Sequence, residues 1–189
     1  MEVSEGNRSF DRLVEVRLDV AAPPEVVWEL VRDPRRMAEW SPQVRSSSLV
    51  EPDAAGDDRT IGVGTRFVNV NEEGADLQWT THGEVVRLDP CREVAFRIEE
   101  NWAVWSLTLE ALADGGTRLV ERRETPEGLS DLALDLTDAF MGGQRVFTRN
   151  LRAGMRETLL RIRDAAERAS VTTARNGRGM GRTPRRVGG

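Results

Sequence analysis

The chain has 189 residues and a net charge of −5, with 39% hydrophobic and 31% charged residues, which suits one domain with a substantial core rather than two. All 27 basic residues are arginine, lysine and tyrosine are absent, and Cys91 and His82 are the single cysteine and histidine. These absences exclude a Schiff-base lysine, a tyrosine acid, a Cys/His zinc cluster and an internal disulfide.

The opening segment MEVSEGNRSFDR is polar and lacks an apolar signal region. No later run approaches the roughly 18 consecutive apolar residues that a membrane span requires. The expectation is a cytoplasmic protein with an N-terminal extension over residues 1–11. From Leu13 to Val20 the residues alternate, Val14, Val16, Leu18 and Val20 against Glu15, Arg17 and Asp19, which is the period of a half-buried strand. Pro23-Pro24 ends that strand and starts a helix to Val31. Asp33-Pro34 stops the helix, and Asp33 is placed to cap a second short one over Arg35–Glu39.

Strand and turn signals then follow one another from Val44 to Glu124. Strands are predicted over 44–50, 65–70, 77–88, 93–98, 102–113 and 117–124, separated by polar or glycine-rich clusters. Connections this short predict an antiparallel meander of consecutive neighbours. Trp79, Thr81 and Val85 share one face of the third of these strands and His82 lies on the other; Trp102 is off the parity of Trp105. The last predicted element is a long amphipathic helix. It is capped by Ser130 or Asp131, interrupted at Gly142-Gly143, carries Phe147, Leu151, Met155, Leu159 and Ile162 at spacings of three and four, and ends near Arg168.

Charge divides the chain at that end. Residues 170–189 hold five arginines and no acid, leaving −10 for residues 1–169, where 22 arginines face all 32 acidic residues. With almost no large apolar side chains, residues 169–189 are expected to form a disordered basic tail behind a domain over 12–168. Contact of this tail with nucleic acid or an anionic surface is the less favoured alternative to a solvated terminus.

The segments VAAPPEVVWELVRDPRRMAEWSPQV, GVGTRF, GEVVRLDPCREVAF and WSLTLEALADGGTRLVERRE occur in this order. In them the chain, over about residues 12–168, resembles the polyketide cyclase/dehydrase branch of the START-related, Bet v 1-like (SRPBCC) superfamily. The resemblance implies an α+β helix-grip fold: a seven-stranded curved antiparallel sheet wrapped around a long C-terminal helix, with two short helices after the first strand. It also implies a deep apolar cavity, which an amphipathic helix spanning a bent sheet leaves in any case.

Ligand-binding candidates are Trp40 at the mouth and Phe67, Trp79, Thr81, Phe96, Trp105 and Leu107 on the sheet. On the helix side they are Phe140, Met141, Phe147 and Leu151. The catalytic candidates are His82, whose ordinary pKa lies near neutrality, and Glu121 with Arg123, which the parity of Leu119 turns inward, either as a pair fit to orient a ligand carbonyl or, the favoured alternative, as an ion pair at the sheet rim. Arg122 and Glu124 turn outward. Cys91 reads as structural. Asp53, Asp57 and Asp58 lack the spacing of a calcium loop, and no cofactor or metal is assigned.

Two functions remain open at this level. One is a carrier of a hydrophobic small molecule, polyketide-, isoprenoid- or lipid-like; the other is a cyclase, aromatase or dehydratase acting on a chain held in the same cavity. A monomer or homodimer is expected.

Overall fold

The alternating segment from Leu13 becomes strand β1 (Leu13–Val20), and Pro24 sits at the first turn of helix α1 (Pro24–Val31), where its missing N–H costs nothing. The computed structural model describes residues 10–50, 61–74, 77–140 and 142–179, with side chains described in these ranges except at 132, 136, 139, 140 and 173–179. The acidic loop at Asp53–Asp58 and Met141 lie outside them. The Asp33 carboxylate accepts from the Arg35 N–H and opens a 3₁₀ turn (Pro34–Arg36) that runs into α2 (Met37–Trp40). Residues 35–39 thus divide between the 3₁₀ turn and α2.

The strands that follow are β2 (Val44–Leu49), β3 (Arg66–Glu73), β4 (Leu77–Asp89), β5 (Glu93–Ile98), β6 (Val104–Ala111) and β7 (Thr117–Glu124). Among the described residues these form one antiparallel seven-stranded sheet in the order β1-β7-β6-β5-β4-β3-β2. β2 to β7 run as a meander, and β1 joins its far edge in register with β7, Val14 opposite Arg123 and Val16 opposite Glu121. Register shifts between Val44 and Ser46 and between Val85 and Arg87 mark bulges, which bend a sheet. Trp102 belongs to the β5–β6 turn rather than to β6, with a φ of 60° and 39% exposure.

The interruption at Gly142-Gly143 is real. Helix α3 (Asp131–Phe140) starts with the Ser130 hydroxyl accepting from the Ala133 N–H and stops before two glycines with φ of 73° and 82°, and α4 (Gln144–Gly179) begins after them. α4 extends beyond Arg168 into the segment predicted to be a disordered tail. Ala166 is its last fully buried side chain among the described residues. Burial is what the amphipathic pattern registers, whereas the further turns rest on local helical bonds such as that from the Thr172 hydroxyl to the Arg168 carbonyl.

The sheet wraps α4 unevenly along its length. Leu159, Ile162 and Ala166 join Val27, Trp28 and Val31 of α1 and Val20, Leu109 and Leu119 of the sheet in the main core. Toward its start, Leu151 and Met155 pack with Val14, Phe147 and Trp105 in a smaller cluster. Between that cluster and the middle of the sheet lies a cavity.

Candidate functional site

The cavity has a volume of about 410 Å³ and lies between the inner face of β3–β7, the start of α4, α3 and the α2–β2 turn. Strand periodicity determines which side chains reach it. Trp79 and Thr81 of β4, Phe96 of β5 and Trp105 of β6 line it, joined from the helix by Phe147 and Leu151. Exposed lining residues at Pro42, Leu77 and Thr80 mark where it opens.

Three of the predicted lining residues are instead in packed core. Trp40 is 7% exposed, its indole N–H donates to the Leu30 carbonyl at 2.9 Å, and the Arg36 guanidinium lies 5.1 Å from its ring, so α1 and α2 hold it away from the opening. Phe67 is fully buried over Gly83 and meets the Phe96 ring edge-on at 5.4 Å. Leu107 belongs to the main core. Parity assigns a face but not a distance along the strand, and these positions lie beyond the cavity's end. Met141 is outside the described residues, as is the side chain of Phe140.

β3 contributes lining residues that a search for aromatic and apolar side chains overlooks. Asn69 and Asn71 share the inward parity of Phe67 and are 5% and 7% exposed. The Asn71 amide donates to the Thr81 hydroxyl at 3.0 Å, while Asn69 Oδ1 is buried without a partner among the described residues. Polar side chains at inward positions were the available signal. Gly154 and Thr158 of α4 also line the cavity.

The three catalytic candidates separate. His82 faces outward, where its Nδ1 is 2.6 Å from Glu100 Oε1 and its side chain is 47% exposed. Glu121 and Arg123 face inward, 3% and 4% exposed, and both line the cavity. The pairing expected between them does not form: no ion pair or hydrogen bond joins either group to a described residue, and Glu121 Oε2 is buried without a partner. Residues two apart on a strand share a face at nearly 7 Å, and these two side chains do not close that gap. Arg123 instead lies with its guanidinium 5.9 Å from the Phe147 ring centre.

Burial sets the charge of both groups. Removal from water pushes the Glu121 carboxyl up from 4.5 to about 8, so it is mainly protonated at neutral pH. The same cause lowers Arg123 to about 10, which leaves it cationic there. The cavity thus presents one neutral acid, one cation, the Glu100 side chain that accepts from the His82 backbone N–H, and buried amide and hydroxyl groups on an otherwise apolar wall. A wall of this kind grips an apolar body and orients its polar end.

A family model described as polyketide cyclase/dehydrase and lipid transport matches residues 12–167. No curated protein matches in sequence. Among solved structures, the di-domain ARO/CYC StfQ from the steffimycin biosynthetic pathway superposes with a TM-score of 0.64 at 16% identity over 85% of this chain and 52% of its own. BexL, the di-domain ARO/CYC from the BE-7585A pathway, gives 0.60 at 17% identity over 82% and 50%. Protein CV1439 from Chromobacterium violaceum gives 0.57 at 20% over 83% and 99%. The chain therefore spans about half of each di-domain protein, and at these identities the likeness is one of fold.

Proposed function

The chain belongs to the polyketide cyclase/dehydrase and lipid-transport family, and from that premise we propose that it binds an apolar small molecule, polyketide-, isoprenoid- or lipid-like, in the cavity between sheet and α4. The observation that carries this reading is the cavity itself: about 410 Å³ walled by Trp79, Phe96, Ile98, Trp105, Phe147 and Met155, beside a contiguous core of buried hydrophobic side chains. Filling such a space with side chains would add stability, since a cavity costs on the order of 24 cal/mol per Å³. Holding a ligand is the use that offsets that cost.

The test is titration with N-phenyl-1-naphthylamine, a neutral apolar dye that fluoresces out of water. Micromolar binding is expected, weakened several-fold in Phe147→Ala and in Gly154→Leu, which places a side chain on the α4 face lining the cavity. Equal binding by both variants and the native protein would remove the assignment. One observation favours a second reading, a cyclase or dehydratase: Glu121 keeps its proton at neutral pH inside the cavity and is placed to give it to a developing oxyanion. Turnover of a polyketone chain that is lost in Glu121→Gln while dye binding persists would establish that reading.

A further inference from the structure

The inner and outer faces of the sheet treat arginine differently. On the outer face Arg122 is held by Glu15 at 2.8 Å and by the Thr108 hydroxyl, Arg118 by Asp19, and Arg87 by Glu93. On the inner face Arg123 has no such partner among the described residues. Its cross-strand neighbours are Val14 of β1 and Trp105 of β6, both apolar. Its guanidinium has five N–H donors and is charged at any physiological pH, so burial with none of them engaged is costly unless a further partner supplies the acceptors. Phe147 supports one face of the group without satisfying a donor.

Resting on the reading that this cavity holds an apolar ligand, we infer that the ligand carries a single planar oxyanion, of carboxylate type, and that Arg123 is its counter-ion. The class follows from the charges on the wall. Arg123 is the one cation lining the cavity among the described residues, and Glu100, the other charged group on the lining, is already engaged by His82, so Arg123 matches one monoanion and would leave a phosphate dianion with charge to spare. The guanidinium fork matches two oxygens in one plane. Glu121, on the same face two residues away, is neutral at pH 7 and adds a donor rather than a competing carboxylate. Trp79, Phe96 and Ile98 then take the apolar body.

The experiment is competition against bound N-phenyl-1-naphthylamine at pH 7 with two chains of equal length, dodecanoate and 1-dodecanol. The expected result is that dodecanoate displaces the dye at a concentration about tenfold or more below that of dodecanol, the size of one charge-assisted hydrogen-bonded contact. In Arg123→Met that ratio is expected to fall to about one, with Arg123→Lys between the two. Equal displacement by acid and alcohol on the native protein would overturn the anion while leaving the cavity reading intact. An acid preference that survives Arg123→Met would overturn the role of Arg123. Failure of dye and both chains to bind would overturn the cavity reading and this inference together. The ratio on the native protein decides the first point without any variant, so a poorly folding substitution cannot obscure it.

Discussion

Replacing Glu121 by glutamine should change how stability depends on pH more than it changes stability at any one pH. In the folded chain the carboxyl is 3% exposed and holds its proton to about 8, whereas in the unfolded chain it releases it near 4.5. Between those values the folded state binds the extra proton, so stability falls as pH rises; the contribution is fully present below 4.5 and gone above about 8. Each pH unit inside that window is worth about 1.4 kcal/mol, which gives a loss on the order of 3–4 kcal/mol between pH 5 and pH 8. Asp19, Asp33 and Glu39, which ion pairs or hydrogen bonds hold below their usual values, act below this window, and Arg123 acts above it. Glutamine keeps the shape and cannot ionise. Urea unfolding of both proteins at pH 5, 6, 7 and 8 would give a falling curve for the native chain and a flatter one for the variant, the single histidine being common to both. Parallel curves would refute the claim that Glu121 is buried as a neutral acid.

Other substitutions test the packing around the same site. Gly83→Ala places a Cβ 2.3 Å from the tip of the fully buried Phe67 ring, so a loss of about 1–3 kcal/mol and several degrees of melting temperature is expected by calorimetry; an unchanged transition would mean Phe67 is free to move. Gly154→Ala should raise the melting temperature, because its Cβ meets Pro42 at an ordinary 3.7 Å and alanine favours the helix interior by about 1 kcal/mol. Gly142→Ala should lower it, since a φ of 73° strains any side chain and the new Cβ would meet Val146 at 3.2 Å, and thermal unfolding followed by circular dichroism reads the difference. Ending the chain after Thr172 should shift the melting temperature by no more than about 2 °C, because among the described residues the last buried side chain of α4 is Ala166; a drop of 5 °C or more would mean that the removed residues pack on the domain.

The fold was legible because its signals are periodic. Alternation in β1, β4 and β6 fixed which residues face α4, and Ser130, Asp33 and the Gly142-Gly143 pair acted at the positions their chemistry implies. The site was legible by face and not by depth. Trp79 and Phe67 both point inward, yet one borders the cavity and the other is fully buried over Gly83 and against the Phe96 ring, a distinction of depth that alternation does not carry. The relation between Glu121 and Arg123 was likewise hidden. Sequence places opposite charges two apart on one face and suggests a pair; the separate course of the two side chains, which leaves each without a hydrogen-bond or ion-pair partner among the described residues, is a property of the packed structure.

The uneven wrapping of α4 implies that this one helix does not open as a unit. Its later turns, around Leu159 and Ile162, are clamped by α1 and the sheet, while the turns from Phe147 to Thr158 border the cavity and have fewer protein atoms to lose on separation. Amide protons of the turns from Phe147 to Thr158 should exchange through local opening, and those from Leu159 to Ala166 only through global unfolding. A bound ligand would supply the missing contacts to the weak half, so occupancy would be felt first as slower exchange between residues 147 and 158 and only second as a higher melting temperature.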